Sequence, residues 1–86
     1  MENVITFEMD FCVSKNVDKT TNDLLKGWLI NSNNLDVIVS SLCLGETWSI
    51  SIDCNFLKNK ADKFKAQKLT EQLLKRFEIP YKIVEN

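Results

Sequence analysis

The chain has 86 residues, a formal net charge of −1, 44% hydrophobic residues and 27% charged residues, an ordinary balance for one soluble globular domain spanning residues 1–86. It has no histidine, which removes the commonest general base and the Ser-His and Cys-His nucleophile pairs. Two Gly and one Pro argue against long disordered linkers and leave no glycine-rich phosphate loop.

The first predicted element is a strand. Ile5, Phe7, Met9, Phe11 and Val13 alternate with Thr6, Glu8, Asp10 and Cys12, a period of two that sends one face to a core and leaves the other polar. Ser14 to Lys19 reads as a polar connection. Thr20 or Thr21 is the expected cap of a helix reaching about Ser32, with Leu24, Leu25, Trp28 and Leu29 as its buried stripe and Val17 closing its start. Gly27 weakens the middle of that helix and suggests close packing on a sheet.

Leu35–Leu44 and Thr47–Phe56 read as a hairpin around Gly45-Glu46, where Gly at the first central position suits a type II′ turn. Pairing Leu44 with Thr47 sets Cys43 against Trp48, Ser41 against Ile50, Val39 against Ile52, Val37 against Cys54 and Leu35 against Phe56, a coherent core face on which all but one residue is apolar. A second helix is expected to start near Asn59 and Asp62, bury Ala66, Leu69, Leu73 and Phe77 with Leu74 at the margin, and stop before Pro80. Tyr81, Ile83 and Val84 supply a short last strand.

This β-α-β-β-α-β order predicts an α+β fold: a ferredoxin-like βαββαβ sandwich, with a four-stranded antiparallel sheet in the order 4-1-3-2 and both helices on one face. That topology hosts many unrelated functions.

Three cysteines, Cys12, Cys43 and Cys54, form no C-x-x-C pair and are an odd number, so reduced thiols in a cytoplasmic protein are expected, with Cys43 and Cys54 as small core residues. The start Met1-Glu2-Asn3 lacks the charge pattern of a secretory signal, and no segment approaches the roughly 18 apolar residues of a membrane span. No cofactor is expected. Glu8, Asp10 and Asp53 share the polar sheet face, where they serve either as solvated acids or, in a less favoured reading, as oxygen ligands for Mg²⁺ or Ca²⁺. The expected metal site is none. Cys12 has no base beside it and reads as unreactive.

Charge divides along the chain. Residues 1–57 carry three Lys against eight acids, net −5, and residues 58–86 carry eight Lys and Arg against four acids, net +4. Two surfaces follow. The acidic sheet face with its apolar edge (Glu8, Asp10, Asp36, Ile38, Leu42, Leu44 and Asp53) suits a protein partner, such as a basic nucleic-acid-binding protein whose site it occupies. It lacks the aromatics by which RNA-recognition domains stack bases. The Lys-rich second helix (Lys60, Lys63, Phe64, Lys65, Lys68 and Lys75, with Glu71 near them) suits nucleic acid instead, bound weakly and without sequence preference because Arg76 is the sole arginine. The first surface leads to a non-catalytic inhibitor or immunity-type factor, of the kind carried by phages or mobile elements. The apolar edge also permits a homodimer.

Overall fold

The computed structural model describes residues 3–10 and 18–84. The expectations for Phe11, Cys12, Val13 and Val17 lie outside the described residues.

Four strands, β1 (Val4–Asp10), β2 (Ile38–Leu44), β3 (Thr47–Asp53) and β4 (Lys82–Val84), form one antiparallel sheet in the order β2-β3-β1-β4, which read from its other edge is the expected 4-1-3-2. Two helical segments join them. Helix α1 (Asp18–Lys26) continues as a π-helical stretch over Gly27–Ser32, and α2 spans Asp62–Arg76. The fold is α+β.

From Leu44 opposite Thr47 through Cys43 opposite Trp48 to Val39 opposite Ile52 the hairpin register is the one the alternation predicts, but the pairing ends at Ile38 opposite Asp53, so the expected Val37–Cys54 and Leu35–Phe56 pairs do not form and Phe56 is exposed. Gly45 has φ +60 and Glu46 has no positive φ, as a type II′ turn requires. One sheet face, with Ile5, Phe7, Met9, Val39, Trp48, Ile50 and Ile52, joins Leu25 and Leu29 of the first helical segment and Ala66 and Leu74 of α2 in a single core cluster. The opposite face has no buried residue among those described.

Several expectations are corrected. The helix begins by Asp18, so Lys19 belongs to it rather than to the connection, and Thr20 and Thr21 lie inside it rather than capping it. Its buried line is Thr21–Leu25–Leu29, and Leu24 is exposed. In α2 the buried line is Ala66–Thr70–Leu74, flanked by half-buried Leu69 and Leu73, so Leu74 is central and Phe77 is exposed. Both lines run at i, i+4, and both contain a threonine. Thr70 can be buried because its Oγ1 donates to the Ala66 carbonyl at 2.8 Å. Gly27 makes no close approach, since a Cβ there would meet nothing within 4 Å. Cys43 is exposed and only Cys54 joins the core.

The helix ends have specific devices. Asn33 donates its side-chain amide to the Trp28 carbonyl at 2.7 Å, and Asn34 follows at φ 55. Asn59 does not cap α2 directly; its Oδ1 accepts from the Ala61 N–H at 3.0 Å, shaping the turn just before the helix. At the other end of α2 the Glu78 N–H donates to the Lys75 carbonyl and the Ile79 N–H to the Leu74 carbonyl, both at 3.0 Å, with Glu78 at φ 58. This is a Schellman motif with glutamate at the left-handed position, and its flanking residues Ile79 and Leu74 are both buried in the core cluster. Pro80 follows the stop and does not make it.

Candidate binding surfaces

Antiparallel pairing arranges the open sheet face in rows. The first row is Ile38, Asp53 and Val4. The second is Ser40, Ser51, Thr6 and Val84. The third is Leu42, Ser49, Glu8 and Lys82, and the fourth is Leu44, Thr47 and Asp10. Three of the four rows therefore begin with an apolar residue on the β2 edge and carry one acid further in, on β3 in the first row and on β1 in the third and fourth. Ile38, Leu42 and Leu44 are 52%, 57% and 69% exposed, so the apolar rim is real surface. Thr6 and Ser51 share a hydroxyl–hydroxyl hydrogen bond of 3.3 Å at the centre of the face.

The rows align Leu42 with Glu8 across Ser49, and Leu44 with Asp10 across Thr47. They set Asp53 and Ile38 at the opposite end, with exposed Asp36 just beyond. Asp53 pairs with Val4, four residues from Glu8, which is roughly 13 Å along a strand. That spacing rules out one cation held by Glu8, Asp10 and Asp53, and no cluster of three metal-ligating residues occurs among the described residues. The Asp53 carboxylate accepts instead from the Asn55 N–H at 2.9 Å and the Asn55 amide at 2.7 Å. Glu8 pairs with Lys82 at 3.7 Å, a contact softened by the exposure of Lys82.

Near the hairpin end, Glu8, Asp10 and Glu46 line a shallow depression with Tyr81 and Lys82. Glu46 belongs to this acidic end. Turn position alone hid it in the sequence reading, although its place beside Leu44 and Thr47 in the hairpin is a usable signal.

The lysine-rich surface of α2 is less unified than its sequence. Phe64 is 63% exposed, and the Lys68 ammonium sits 5.1 Å from its ring centroid. Lys60, Lys65 and Lys75 are exposed, whereas Lys63 is half-buried and lines a small cleft with Cys54, whose thiol pKa its charge acts to lower. Burial nevertheless holds that thiol above its ordinary value. Glu71 does not stand with Phe64; it turns to Tyr81.

A further depression of about 610 Å³ runs between the helices, lined by Leu24, Gly27, Trp28, Leu73, Arg76 and Phe77 among others. Leu24 and Phe77, both expected in the core, are half of its apolar wall. Trp28 is held there by its indole N–H, which donates to the Leu69 carbonyl at 3.2 Å.

No helix among the described residues is long and apolar enough to cross a membrane. Compared with known protein families and with curated proteins, the chain matches none.

Proposed function

We propose that this chain is a ferredoxin-like, non-catalytic protein-binding module that works in the cytoplasm by occluding a partner through its open sheet face and β2 rim. The observation that carries the reading is the row order of that face, where exposed Ile38 stands beside Asp53, and exposed Leu42 and Leu44 share rows with Glu8 and Asp10 across Ser49 and Thr47, on a face with no buried residue among those described. An apolar strip flanked by carboxylates suits a basic surface that also offers an apolar anchor, such as the binding site of a nucleic-acid-binding protein. An inhibitor or immunity-type role, as in phages or mobile elements, follows from that chemistry together with a chain that has no histidine and no phosphate-cradling loop.

The test is capture of partners by tagged protein with and without nuclease, repeated with a Glu8→Lys, Asp10→Lys, Asp53→Lys variant. A nuclease-resistant partner bound by the wild type and lost by the variant supports the reading. Equal capture by both removes the acidic face from the interaction.

The exposed Phe64 beside Lys60, Lys65 and Lys68 favours a second reading, weak nucleic-acid binding by α2. Its mark is single-stranded DNA binding at low salt that fades steeply toward physiological salt. No binding at low salt removes it.

A further inference from the structure

The outer edge of β2 is a separate feature from the face beside it. Side chains leave a strand perpendicular to the sheet, while backbone N–H and C=O groups lie in its plane. The turn at Gly45-Glu46 closes on Leu44 and Thr47, so the backbone groups of Leu44, Leu42, Ser40 and Ile38 point toward β3. Those of Cys43, Ser41 and Val39 point outward. Among the described residues no strand pairs with that side.

Edge strands are normally guarded by charge, proline, a bulge or brevity. β2 has none of these. Its seven residues, IVSSLCL, include no charged side chain and no proline, and its register against β3 runs unbroken. Six of the seven are exposed, with Val39 the exception. Lysine is abundant elsewhere in the chain, which makes its absence here specific to the edge.

We infer that β2 pairs antiparallel with β2 of a second copy of this chain, in a register centred on Ser41. This centre uses all three outward-facing residues. Ser41 meets the second copy's Ser41, and Val39 and Cys43 meet the second copy's Cys43 and Val39, which gives about six backbone hydrogen bonds. A two-fold at Val39 or Cys43 runs past the strand ends and forms fewer. On the open face the same register sets Ile38 against the second copy's Leu44, and Leu42 against its Ser40. An uncharged strand is thus self-complementary, which is the requirement of an isologous interface.

The two-fold axis stands perpendicular to the sheet, so both open faces lie on one side. Two four-stranded sheets become one of eight, with the two apolar rims fused into a central strip and acids on either side. The inference holds whether or not the open face binds a basic partner, because the edge uses backbone groups and the face uses side chains.

Sedimentation velocity of the full chain from low micromolar to near-millimolar concentration tests it. The expected result is a concentration-dependent dimer, with slowed hydrogen exchange at the amides of Val39, Ser41 and Cys43 as dimer forms. Ser41→Lys and Ser41→Asp, each alone, set like charges against each other at the centre and weaken the dimer about tenfold or more. An equimolar mixture of the two restores it as a heterodimer. The Glu8, Asp10, Asp53 triple variant keeps the dimer, which separates this interface from the partner surface. A monomer at all concentrations overturns the inference, as does a dimer indifferent to Ser41→Lys or a mixture that stays monomeric.

Discussion

The Tyr81 hydroxyl donates a 2.6 Å hydrogen bond to Glu71 Oε1, tying the segment that leads into β4 to the middle of α2. Gln67 donates to the other carboxylate oxygen at 3.3 Å, and the Tyr81 ring packs edge-on to Phe7 at 5.7 Å between centroids. β4 has only three residues, so this polar clasp and the ring contact do much of what a longer ladder does elsewhere.

The clasp has a pH signature. The Tyr81 hydrogen bond holds the Glu71 carboxyl below its ordinary value, so its contribution is present above the unfolded value and is lost as pH falls through the lowered one. Burial, reinforced by Glu71, pushes the Tyr81 phenol up to about 12, so its contribution is complete below the unfolded value and lost as pH rises toward 12. Tyr81→Phe should therefore cost about 1 kcal/mol at neutral pH, a figure reduced for partial exposure. Urea unfolding of both proteins should show that gap narrowing below about pH 4 and above about pH 10. Since phenylalanine keeps the ring contact, a gap constant across the range means that the hydroxyl contributes without regard to the charge of Glu71.

Glu78 sits at φ 58, where a Cβ crowds the backbone. Glu78→Gly should raise the urea midpoint at unchanged slope, by about 1 kcal/mol of stability, because glycine adopts this conformation freely. The same change at Asn34, φ 55, should gain less, since asparagine tolerates the left-handed region. Equal gains at both sites would show that residue type does not set the strain.

The hairpin was legible because a period of two and one glycine leave a single register that buries Trp48, Ile50 and Ile52 together. The helix stripes were legible only to within a rotation. Leu24 and Leu25 are adjacent, and so are Leu73 and Leu74, so hydrophobicity alone does not choose between neighbours 100° apart. The deciding members are Thr21 and Thr70, which a hydrophobic pattern counts as polar although Thr70 is satisfied within its own helix. The acidic face was readable as a list of residues, but its division into two ends follows from pairing Val4 with Asp53, which requires the β1–β3 register.

The thiols separate by environment. Cys43 is exposed on β2, and Cys54 is buried with its thiol held above the ordinary value by desolvation. Peptide mapping after brief alkylation of the native protein should find Cys43 labelled and Cys54 protected, with Cys54 labelled only in denaturant. Rapid native labelling of Cys54 would show that its end of the sheet opens readily. Slower labelling of Cys43 at high protein concentration is expected from the dimer centred on Ser41.

Gly27 sits where α1 gives way to the π-helical stretch, with open space around the position of its missing Cβ. Helical glycine costs about 1 kcal/mol relative to alanine, and no packing constraint offsets that here. Gly27→Ala should therefore stabilise the fold by 0.5 to about 1 kcal/mol, read as a higher thermal midpoint. A larger residue, as in Gly27→Leu, should project into the depression beside Leu24, Trp28 and Phe77 without unfolding the chain. A loss of stability in Gly27→Ala would mean that the backbone here needs a freedom only glycine has, since nothing near it collides with a methyl group.

The α2 rotation can be tested by paired truncations. Leu74 is fully buried between α2 and the sheet, whereas Phe77 is 45% exposed. Leu74→Ala removes core volume and leaves a cavity, for an expected loss of about 2 to 5 kcal/mol. For a chain of this size that is a large share of total stability, so the variant should be measured first at low temperature or with added sulfate. Phe77→Ala removes partly solvated area and should cost no more than about 1 kcal/mol. The stripe read from sequence, with Phe77 inside and Leu74 at its margin, requires the reverse order. A Phe77→Ala loss equal to or above that of Leu74→Ala would place the aromatic ring in the core and displace the Ala66–Thr70–Leu74 line from its centre.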